Sequence, residues 1–234
     1  MPNALPLITA CAQRPYPGRG IVLGRDRDGI AFGLYWLTGR SYASQQRAIQ
    51  SFESEIVVRD LTDGPQDELR HYTAAIRDSS SVMIGNGTHV GSLWHEVSSG
   101  ITFDDAHQKI DYEPDPPIYT PRITAKAALT GAGVRGFVTS AAVSDPDWPG
   151  ITQHKTVHIQ NPDVGQAQFV TTYTGDPSNP APSGVAKIVK VESSWSSLTE
   201  DVWNALDPNF RVSITTFPLE GPTFFSAITL NKNA

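Results

Sequence analysis

Short apolar segments separated by turn residues run through most of the chain, and this pattern predicts a protein rich in β-strands. Residues 20–24 and 30–37 are two such segments, and the Asp28-Gly29 pair between them is a strong hairpin signal. Residues 66–76 fit either a helix or, over 72–76, a strand. The other predicted strands are 55–59, 81–85, 123–129, 137–143, 156–160, 167–173, 187–191, 210–217 and 223–230.

Two segments have helical patterns. Residues 102–110 begin with Thr102, which suits an N-cap, and two aspartates follow in the first turn. Residues 198–206 form the second, with candidate capping side chains at Ser196, Ser197 and Thr199. Residues 145–150 and 176–183 are rich in Pro, Gly, Asp and Ser and predict loops. Because strands and helices do not alternate, we predict an α+β fold with largely antiparallel sheets, partly covered by helices.

Composition narrows the class of protein. The 234 residues are 39% hydrophobic, which suffices for one substantial core or two small ones. No composition shift marks a boundary, so we expect one domain over residues 1–234. There is no long apolar run for a membrane span, and residues 1–10 lack the basic start of a signal peptide. Cys11 is the only cysteine, which excludes an internal disulfide and a Cys-based zinc site. We therefore expect a soluble, cytoplasmic protein without a membrane partner.

The charge pattern favours a small anionic ligand. A net charge of −6 argues against general nucleic-acid binding. Arginine outnumbers lysine twelve to six, and nine arginines fall in the first third of the chain. Arginine makes two-pronged contacts with phosphate and carboxylate that lysine cannot make. Four of these arginines are interpreted as ordinary surface groups: Arg25, Arg27, Arg59 and Arg77.

Several familiar motifs do not carry a function here. Residues 131–136 match the G-x-G-x-x-G pattern, but a strand-like segment follows where a dinucleotide site needs a helix, so a hairpin turn is favoured. His154 and His158 lie four apart without a third ligand, so no metal site is predicted. Asn86-Gly87-Thr88 fits the glycosylation pattern, although nothing else indicates secretion. No Ser/His/Asp set stands out.

The most informative segment is the proline-rich strip, residues 111–122. Its four prolines prevent a regular helix and interrupt a central strand, yet it carries three carboxylates, two phenols and an arginine. A stiff irregular backbone with ionisable groups suits a binding or catalytic loop. Glu113 is the most suggestive of these groups, because prolines on its C-terminal side limit its freedom. A well-packed structural crossing explains the composition equally well.

Two further segments support a site, although each has a simpler explanation. Arg40 and Arg47 bracket a polar turn after the strand 30–37 and could clamp a phosphate, with a serine hydroxyl adding a donor. A solvated loop is the alternative. Asn86 lies between two glycines after a short apolar strand, where the backbone can approach a ligand or simply turn.

Together these segments resemble the archaeal-type IMP cyclohydrolase family, including its bacterial members. The resemblance covers most of the chain and is strongest in the proline-rich strip. The other segments that carry it are residues 16–24, Tyr35, 39–41, Arg47, 86–89, 172–177 and 202–206.

The resemblance implies both a fold and an activity. The family has the four-layer αββα fold of N-terminal-nucleophile hydrolases, without self-cleavage. It closes the purine ring: in 5-formamidoimidazole-4-carboxamide ribotide, the carboxamide nitrogen attacks the formyl carbon, and water leaves to give IMP. It uses no redox or metal cofactor. Small members of this fold often associate, so a homo-oligomer is expected.

The resemblance also implies which residues act. The catalytic candidates are Tyr72, Glu113 and Arg40, and the individual acid and base roles stay open. Asn86 and Thr120 would orient the imidazole carboxamide. The substrate-binding candidates are Arg19, Arg40, Ser41, Arg47, Asn86, Gly87, Thr88, Tyr119, Thr120 and Arg122.

Two departures from the family pattern bear on the substrate. Many members have Thr-Asp after the Asn-Gly loop, whereas Val90-Gly91 stand here, so an acidic contact is missing. Residues 42–46, between the paired arginines, are also unusual. The alternatives are therefore a cyclohydrolase for another nucleotide or nucleoside-like metabolite, or a non-catalytic nucleotide sensor. A self-processing amidohydrolase would need Cys11 as its nucleophile, and we expect Cys11 to be structural or incidental.

Overall fold

In the computed structural model, residues 4–63, 65, 67–130, 133–148 and 150–233 are described. The helices are α1 (Leu7–Ala12), α2 (Tyr42–Gln45), α3 (His89–Ser98), α4 (Phe103–His107) and α5 (Trp195–Ala205). The strands are β1 (Arg19–Arg25), β2 (Ala31–Thr38), β3 (Arg47–Ser51), β4 (Glu55–Asp60), β5 (Tyr72–Arg77), β6 (Ser81–Gly85), β7 (Arg122–Thr130), β8 (Gly133–Ser144), β9 (Thr152–Gln160), β10 (Gln166–Thr171), β11 (Tyr173–Asp176), β12 (Asn179–Pro182), β13 (Lys187–Lys190), β14 (Arg211–Pro218) and β15 (Ile228–Asn231).

The first sheet has six strands in the order β13-β10-β1-β2-β14-β15, and neighbouring strands run antiparallel. All eight residues of β2 are buried, as expected for a central strand covered on both faces. The predicted hairpin between β1 and β2 is confirmed. The Asp26 carboxylate holds its turn, because Oδ1 accepts hydrogen bonds from the backbone amides of Asp28 and Ile30.

The second sheet is a seven-strand meander from β3 to β9, in which each strand pairs antiparallel with the next. The hairpin that joins β7 and β8 contains the G-x-G-x-x-G segment. Residues 131 and 132 of that segment lie outside the described residues. Because β8 begins at Gly133, a strand stands where a dinucleotide site requires a helix.

Buried side chains connect the sheets and helices. The largest cluster contains side chains of both sheets, for example Tyr35 and Ile84. A second cluster joins α1 and α5 to the first sheet around Trp36, and a third joins α3 and α4 to the second sheet around Met83. The predicted α+β class with mostly antiparallel sheets is confirmed. Within the described part of the chain, no helix has the length and apolarity needed to cross a bilayer.

The ambiguous segment 66–76 ends in a strand, β5, which is one of its two predicted structures. Other elements differ from the local patterns: α1, α2 and β3 were not predicted, and the predicted loop 176–183 contains β12, which pairs with β11. The sequence patterns did not predict α3, whose first turns contain Gly91, a poor helix former. Val90 and Leu93 are fully buried against the second sheet, so tertiary packing stabilises this helix.

The start of α5 also differs from prediction. The helix begins at Trp195, and its N-cap, Ser194, makes no side-chain capping bond. Instead the Trp195 amide donates to Asp26 Oδ2 at 2.8 Å, so the carboxylate that holds the β1–β2 turn also satisfies this helix end. The predicted caps Ser196, Ser197 and Thr199 are therefore wrong. The Thr102 cap of α4 is confirmed, since its hydroxyl accepts from the Asp105 amide.

Arg77 was interpreted as a surface group, and this is wrong. It is 2% exposed, and its guanidinium donates to the carbonyls of Leu219 and Thr223, both at 2.9 Å. These carbonyl acceptors, with no ion pair to Arg77 in the described part of the chain, fit a structural role, which is to hold the loop after β14. Arg27 and Arg59 are exposed, as predicted, and Arg25 is half-buried.

Buried histidines make folding stability depend on pH. His107 contacts Ser140 and His154, and burial followed by the neighbouring His154 lowers the pKa of His107 to about 4. The unfolded chain binds that proton near pH 6.5, so this stabilisation is complete above pH 6.5 and is lost as pH falls toward 4. We expect about 3 kcal/mol of unfolding free energy to be lost over this window.

Denaturant unfolding at a series of pH values checks this prediction. The variant His107→Gln should have a shallower dependence of unfolding free energy on pH than the natural protein. His95→Gln is the control, because His95 is exposed on α3. An unchanged slope in His107→Gln would contradict the assignment.

Candidate functional site

A cavity of about 460 Å³ opens at one end of both sheets. In antiparallel sheets the first residue of one strand lies beside the last residue of its neighbour. Arg19 begins β1 and Thr38 ends β2, while Arg47 begins β3 in the other sheet. Side chains that are distant in sequence therefore meet here. The cavity is lined by Tyr16, Arg19, Thr38, Arg40, Ser41, Ser44, Arg47, Asp67, Leu69, Arg70, Glu113, Asp115, Ile118, Thr120 and Tyr173.

The proline-rich strip forms one wall of this cavity through a loop that Asp115 organises. The Asp115 carboxylate accepts hydrogen bonds from both the amide and the hydroxyl of Thr120. The Glu113 amide donates to the Thr120 carbonyl at 2.8 Å, which closes the loop on the other side. The Tyr173 hydroxyl also contacts the Thr120 hydroxyl. The strip is thus a fixed loop, and Glu113 and Arg40 lie on the wall of the same cavity.

Glu113 is a buried carboxylate, 2% exposed, paired with a largely buried arginine. Its Oε1 forms an ion pair with Arg19 and accepts a hydrogen bond from Asn86 Nδ2 at 3.2 Å. Its Oε2 has no hydrogen-bond partner among the described residues. Burial raises the pKa of Glu113, and Arg19 opposes this rise. Arg19 and Asn86 therefore hold Oε1 of this carboxylate, and Oε2 is available to a ligand.

Asn86 holds Glu113 and the adjacent backbone together. Its Nδ2 donates to Glu113 and to the Pro121 carbonyl, and its Oδ1 accepts from the Ile123 amide at 2.7 Å. These contacts occupy both amide hydrogens of a fully buried side chain. They favour a role for Asn86 in positioning Glu113 over a direct contact with a ligand.

The other residues of the Asn-Gly segment lie around this carboxylate or away from the cavity. Gly87 is buried, and a Cβ added there would lie 3.7 Å from Glu113 Oε1. Thr88 is exposed at the start of α3 and does not line the cavity. Val90 packs in the core under α3, and a Cβ at Gly91 would meet open space. Neither Val90 nor Gly91 lines the cavity, so this departure from the family lies outside the cavity wall.

Arg40 and Arg47 both line the cavity, but they differ in burial. Arg40 is exposed, lies over the Tyr16 ring and donates to the Pro177 carbonyl at 2.8 Å. Arg47 is 3% exposed and donates to the carbonyls of Ser44 and Thr38. Neither guanidinium has a carboxylate partner among the described residues. Both charges are therefore available to an anion.

The serines near Arg40 are already engaged. Ser41 and Ser44 form a reciprocal capping box at the start of α2, in which each side chain accepts from the other residue's amide. Tyr42, in the unusual segment between the arginines, is 80% exposed and does not line the cavity.

Tyr72 lies behind the cavity wall and contacts a second phenol. Its hydroxyl is 2.8 Å from that of Tyr35, and both side chains are buried. Both phenols interact electrostatically with Arg19 and Arg47, which line the cavity. The structure thus brings Tyr72 next to the cavity without making it part of the wall.

Tyr119 and Arg122 lie at the edge of the site. Tyr119 lines a neighbouring groove of about 890 Å³, which shares Arg40 and Ile118 with the cavity. Arg122 interacts electrostatically with Glu113, and its Nε is buried without a hydrogen-bond partner. Neither residue lines the cavity itself.

Several wall residues were not among the sequence candidates. Arg70 is the most prominent, and it is paired with Asp60 at 3.2 Å and with Asp67 at 3.0 Å. No local pattern marked it, because residues 66–76 fitted two structures. Tyr16 and Tyr173 lie within the family-like segments, so the resemblance was the one available signal for them.

No group of three or more His, Cys, Asp or Glu side chains that could hold a metal ion occurs among the described residues. His158 pairs with Asp104 and His154 contacts His107, so the two histidines of the four-residue spacing have separate partners. Cys11 is buried, and burial raises the pKa of its thiol to about 12, which disfavours the reactive thiolate.

Comparison with known proteins gives one family. A family model described as IMP cyclohydrolase-like protein matches residues 16–220, which include every residue of the cavity wall. Among curated proteins, none matches the chain.

Proposed function

Because the chain belongs to the IMP cyclohydrolase-like family, as its motifs predicted, we propose that it closes the purine ring of 5-formamidoimidazole-4-carboxamide ribotide to give IMP and water. The observation that carries the proposal is the single cavity in which Glu113 and Arg40 share a wall. Its volume of about 460 Å³ suits a small-molecule site.

The reaction requires proton transfers at two places. A carbon–nitrogen bond forms between the carboxamide nitrogen and the formyl carbon, and the bond from that carbon to the formyl oxygen breaks. The oxygen leaves as water with one proton from the carboxamide and one from the formamido nitrogen. An amide nitrogen is a weak nucleophile, so its proton must be taken up as it attacks. Positioned acid and base groups supply about 10²- to 10⁴-fold in such steps.

Glu113 is the proposed carrier of one of these protons. Arg19 and Asn86 hold Oε1, which leaves Oε2 as the oxygen that can accept or return a proton. Its raised pKa lies closer to neutral pH than that of an ordinary carboxyl group. Proton transfer in both directions is most efficient when the pKa of the group is near the pH of the reaction. Tyr72 is the proposed second proton-transfer group.

The ribotide phosphate is proposed to bind Arg40 and Arg47. Among the described residues these wall arginines form no ion pair, whereas Arg19 is paired with one carboxylate and Arg70 with two. Arg40 is exposed at the mouth and Arg47 lies deeper, so the two can hold a phosphate from two sides. Arg122, Tyr119 and Thr120 are proposed to complete the substrate contacts.

The finer fold assignment is also part of this proposal. Two sheets that share a core, each with helices packed on its other face, are consistent with the four-layer αββα arrangement of N-terminal-nucleophile hydrolases. The chain has Cys11 buried, so the self-processing version of that fold is not proposed.

A second candidate is ring closure on a different nucleotide. The unusual segment 42–46 lies in part at the cavity, where Ser44 lines the wall near the proposed phosphate site. Tight binding of IMP together with absence of turnover of the formamido ribotide would favour this candidate, or a nucleotide sensor.

The proposal is tested by incubating the purified protein with the formamido ribotide and following the ultraviolet absorbance of IMP formation. We expect turnover well above the spontaneous rate without added metal or cofactor. Circular dichroism on the same sample establishes that the protein is folded. A folded protein that gives only the spontaneous rate would overturn the proposed reaction.

A further inference from the structure

Tyr35 and Tyr72 form a hydrogen-bonded phenol pair that bridges the two sheets. Tyr35 belongs to β2 and Tyr72 begins β5. Their hydroxyl oxygens are 2.8 Å apart, a normal distance for an O–H···O hydrogen bond, and the side chains are 0% and 3% exposed. Within the described ranges, neither hydroxyl has another hydrogen-bond partner.

The surroundings of the pair bear on which hydroxyl donates the hydrogen bond. Burial first, and then the neighbouring Tyr72, raise the pKa of Tyr35 well above its usual value. Either hydroxyl can donate in this pair, but Tyr72 interacts more strongly than Tyr35 with Arg19 and Arg47, so Tyr72 is the phenol on the cavity side. When the fully buried Tyr35 donates to Tyr72, the hydroxyl hydrogen of Tyr72 points to another acceptor.

Among the residues that the structure describes, no acceptor for that hydrogen is found. The charged side chains that interact with both phenols are Arg19 and Arg47, and guanidinium groups can only donate. Both arginines line the cavity. A buried donor without an acceptor is costly, so a ligand oxygen that enters from the cavity between the arginines would satisfy it.

We propose that Tyr35 is a positioning residue of this site, which donates its hydroxyl hydrogen to Tyr72 Oη and so directs the Tyr72 proton toward an oxygen of the substrate. The inference rests on the proposed function, in which Tyr72 transfers a proton. When the formyl oxygen leaves, the Tyr72 O–H bond breaks, the proton joins the leaving hydroxyl, and the electron pair stays on Tyr72 Oη. Tyr35 and the two guanidinium groups stabilise that charge until a proton released by the substrate nitrogens restores the phenol.

The variant Tyr35→Phe tests the proposal through kinetics. A hydrogen bond to a charged group is lost in the transition state, so we expect kcat to fall about tenfold to hundredfold while KM for the formamido ribotide is unchanged. A purely structural role for Tyr35 would lower stability or raise KM and would not produce a selective fall in kcat.

Two further measurements keep the proposal falsifiable. In an alkaline titration of tyrosine absorbance without substrate, Tyr35 should ionise late, and this late step should move to lower pH in Tyr72→Phe, because Tyr72 contributes to the raised pKa of Tyr35. Tyr42→Phe, at an 80% exposed position, is the control and should leave the late step in place. This titration tests the phenol pair even if the natural protein has no cyclohydrolase activity. In the Tyr72→Phe background, adding Tyr35→Phe should cause no further fall in kcat.

The results that overturn the proposal are equally specific. They are an unshifted late ionisation in Tyr72→Phe, a rise in KM without a fall in kcat in Tyr35→Phe, or a loss of kcat that adds fully to that of Tyr72→Phe. Thermal unfolding of each variant identifies any that fail to fold, and the double-variant comparison then uses only folded proteins.

Discussion

Replacing Glu113 by glutamine is expected to lower kcat for ring closure by about 10²- to 10⁴-fold, while the affinity for IMP changes little. Glutamine keeps the size of the side chain and an oxygen that can accept from Asn86, as Oε1 now does. It loses the carboxylate oxygen that takes up or returns a proton. The measurement is steady-state kinetics with the formamido ribotide, together with IMP affinity from calorimetry.

The control for this experiment is Glu53→Gln, because Glu53 is exposed on the loop between β3 and β4. Its kinetics should match those of the natural protein. Glu113→Gln leaves Arg19 without its anion, so its rates must be measured below its own unfolding transition. A folded Glu113→Gln protein with unchanged kcat would remove Glu113 from the chemistry and would favour the nucleotide sensor.

The second large effect concerns the stability of the Arg19–Glu113 pair. We expect Arg19→Met to lower the unfolding free energy by about 3–5 kcal/mol, because it leaves a buried carboxylate without its cation. The loss should be smaller at low pH. Without Arg19 the pKa of Glu113 rises further, the folded protein binds a proton there more readily than the unfolded chain, and stability is regained as pH falls.

Replacing both partners separates this charge effect from packing. The double variant Arg19→Met/Glu113→Gln has no buried charge at this position, so its stability should lie within about 1 kcal/mol of the natural protein. Its ring-closing activity should stay lost, because the carboxylate is still missing. Denaturant unfolding measures the stabilities of all three variants and of the natural protein.

Arg27→Met serves as the control for Arg19→Met. Arg27 is 60% exposed, and its nearest carboxylate, that of Asp28, is 3.6 Å away, so the change should cost less than about 0.5 kcal/mol. A double variant as unstable as Arg19→Met would show that shape and packing, not the unpaired charge, set the cost.

The hairpin at Asp28-Gly29 and the cap at Thr102 were predictable from sequence because their determinants are local. The turn residues adjoin their strands, and Thr102 lies three residues before Asp105, whose amide donates a hydrogen bond to the Thr102 hydroxyl. The start of α5 was not predictable in this way. Its first amide is satisfied by Asp26, which is 169 residues away in sequence.

The same distinction between local and long-range determinants applies to the candidate site. The motifs identified Glu113 and Arg40, and the family match bears out the resemblance on which they were chosen. Local patterns could not indicate that Asn86 would donate its side-chain amide hydrogens to Glu113 and to the Pro121 carbonyl. They also could not indicate that Arg70 would reach the cavity while paired with two aspartates.

The sequence by itself determined the strand-rich α+β class, most of the strands and the family, because alternation, turn residues and ordered motifs are properties of neighbouring residues. The tertiary structure alone decided that Arg19 pairs with Glu113 across 94 residues and that Tyr35 meets Tyr72 across 37. The physical reason is the antiparallel packing of two sheets, which brings strand ends from distant parts of the chain around one cavity. Buried charges and hydroxyl groups there must find partners, and those partners are set by the register and packing of the sheets.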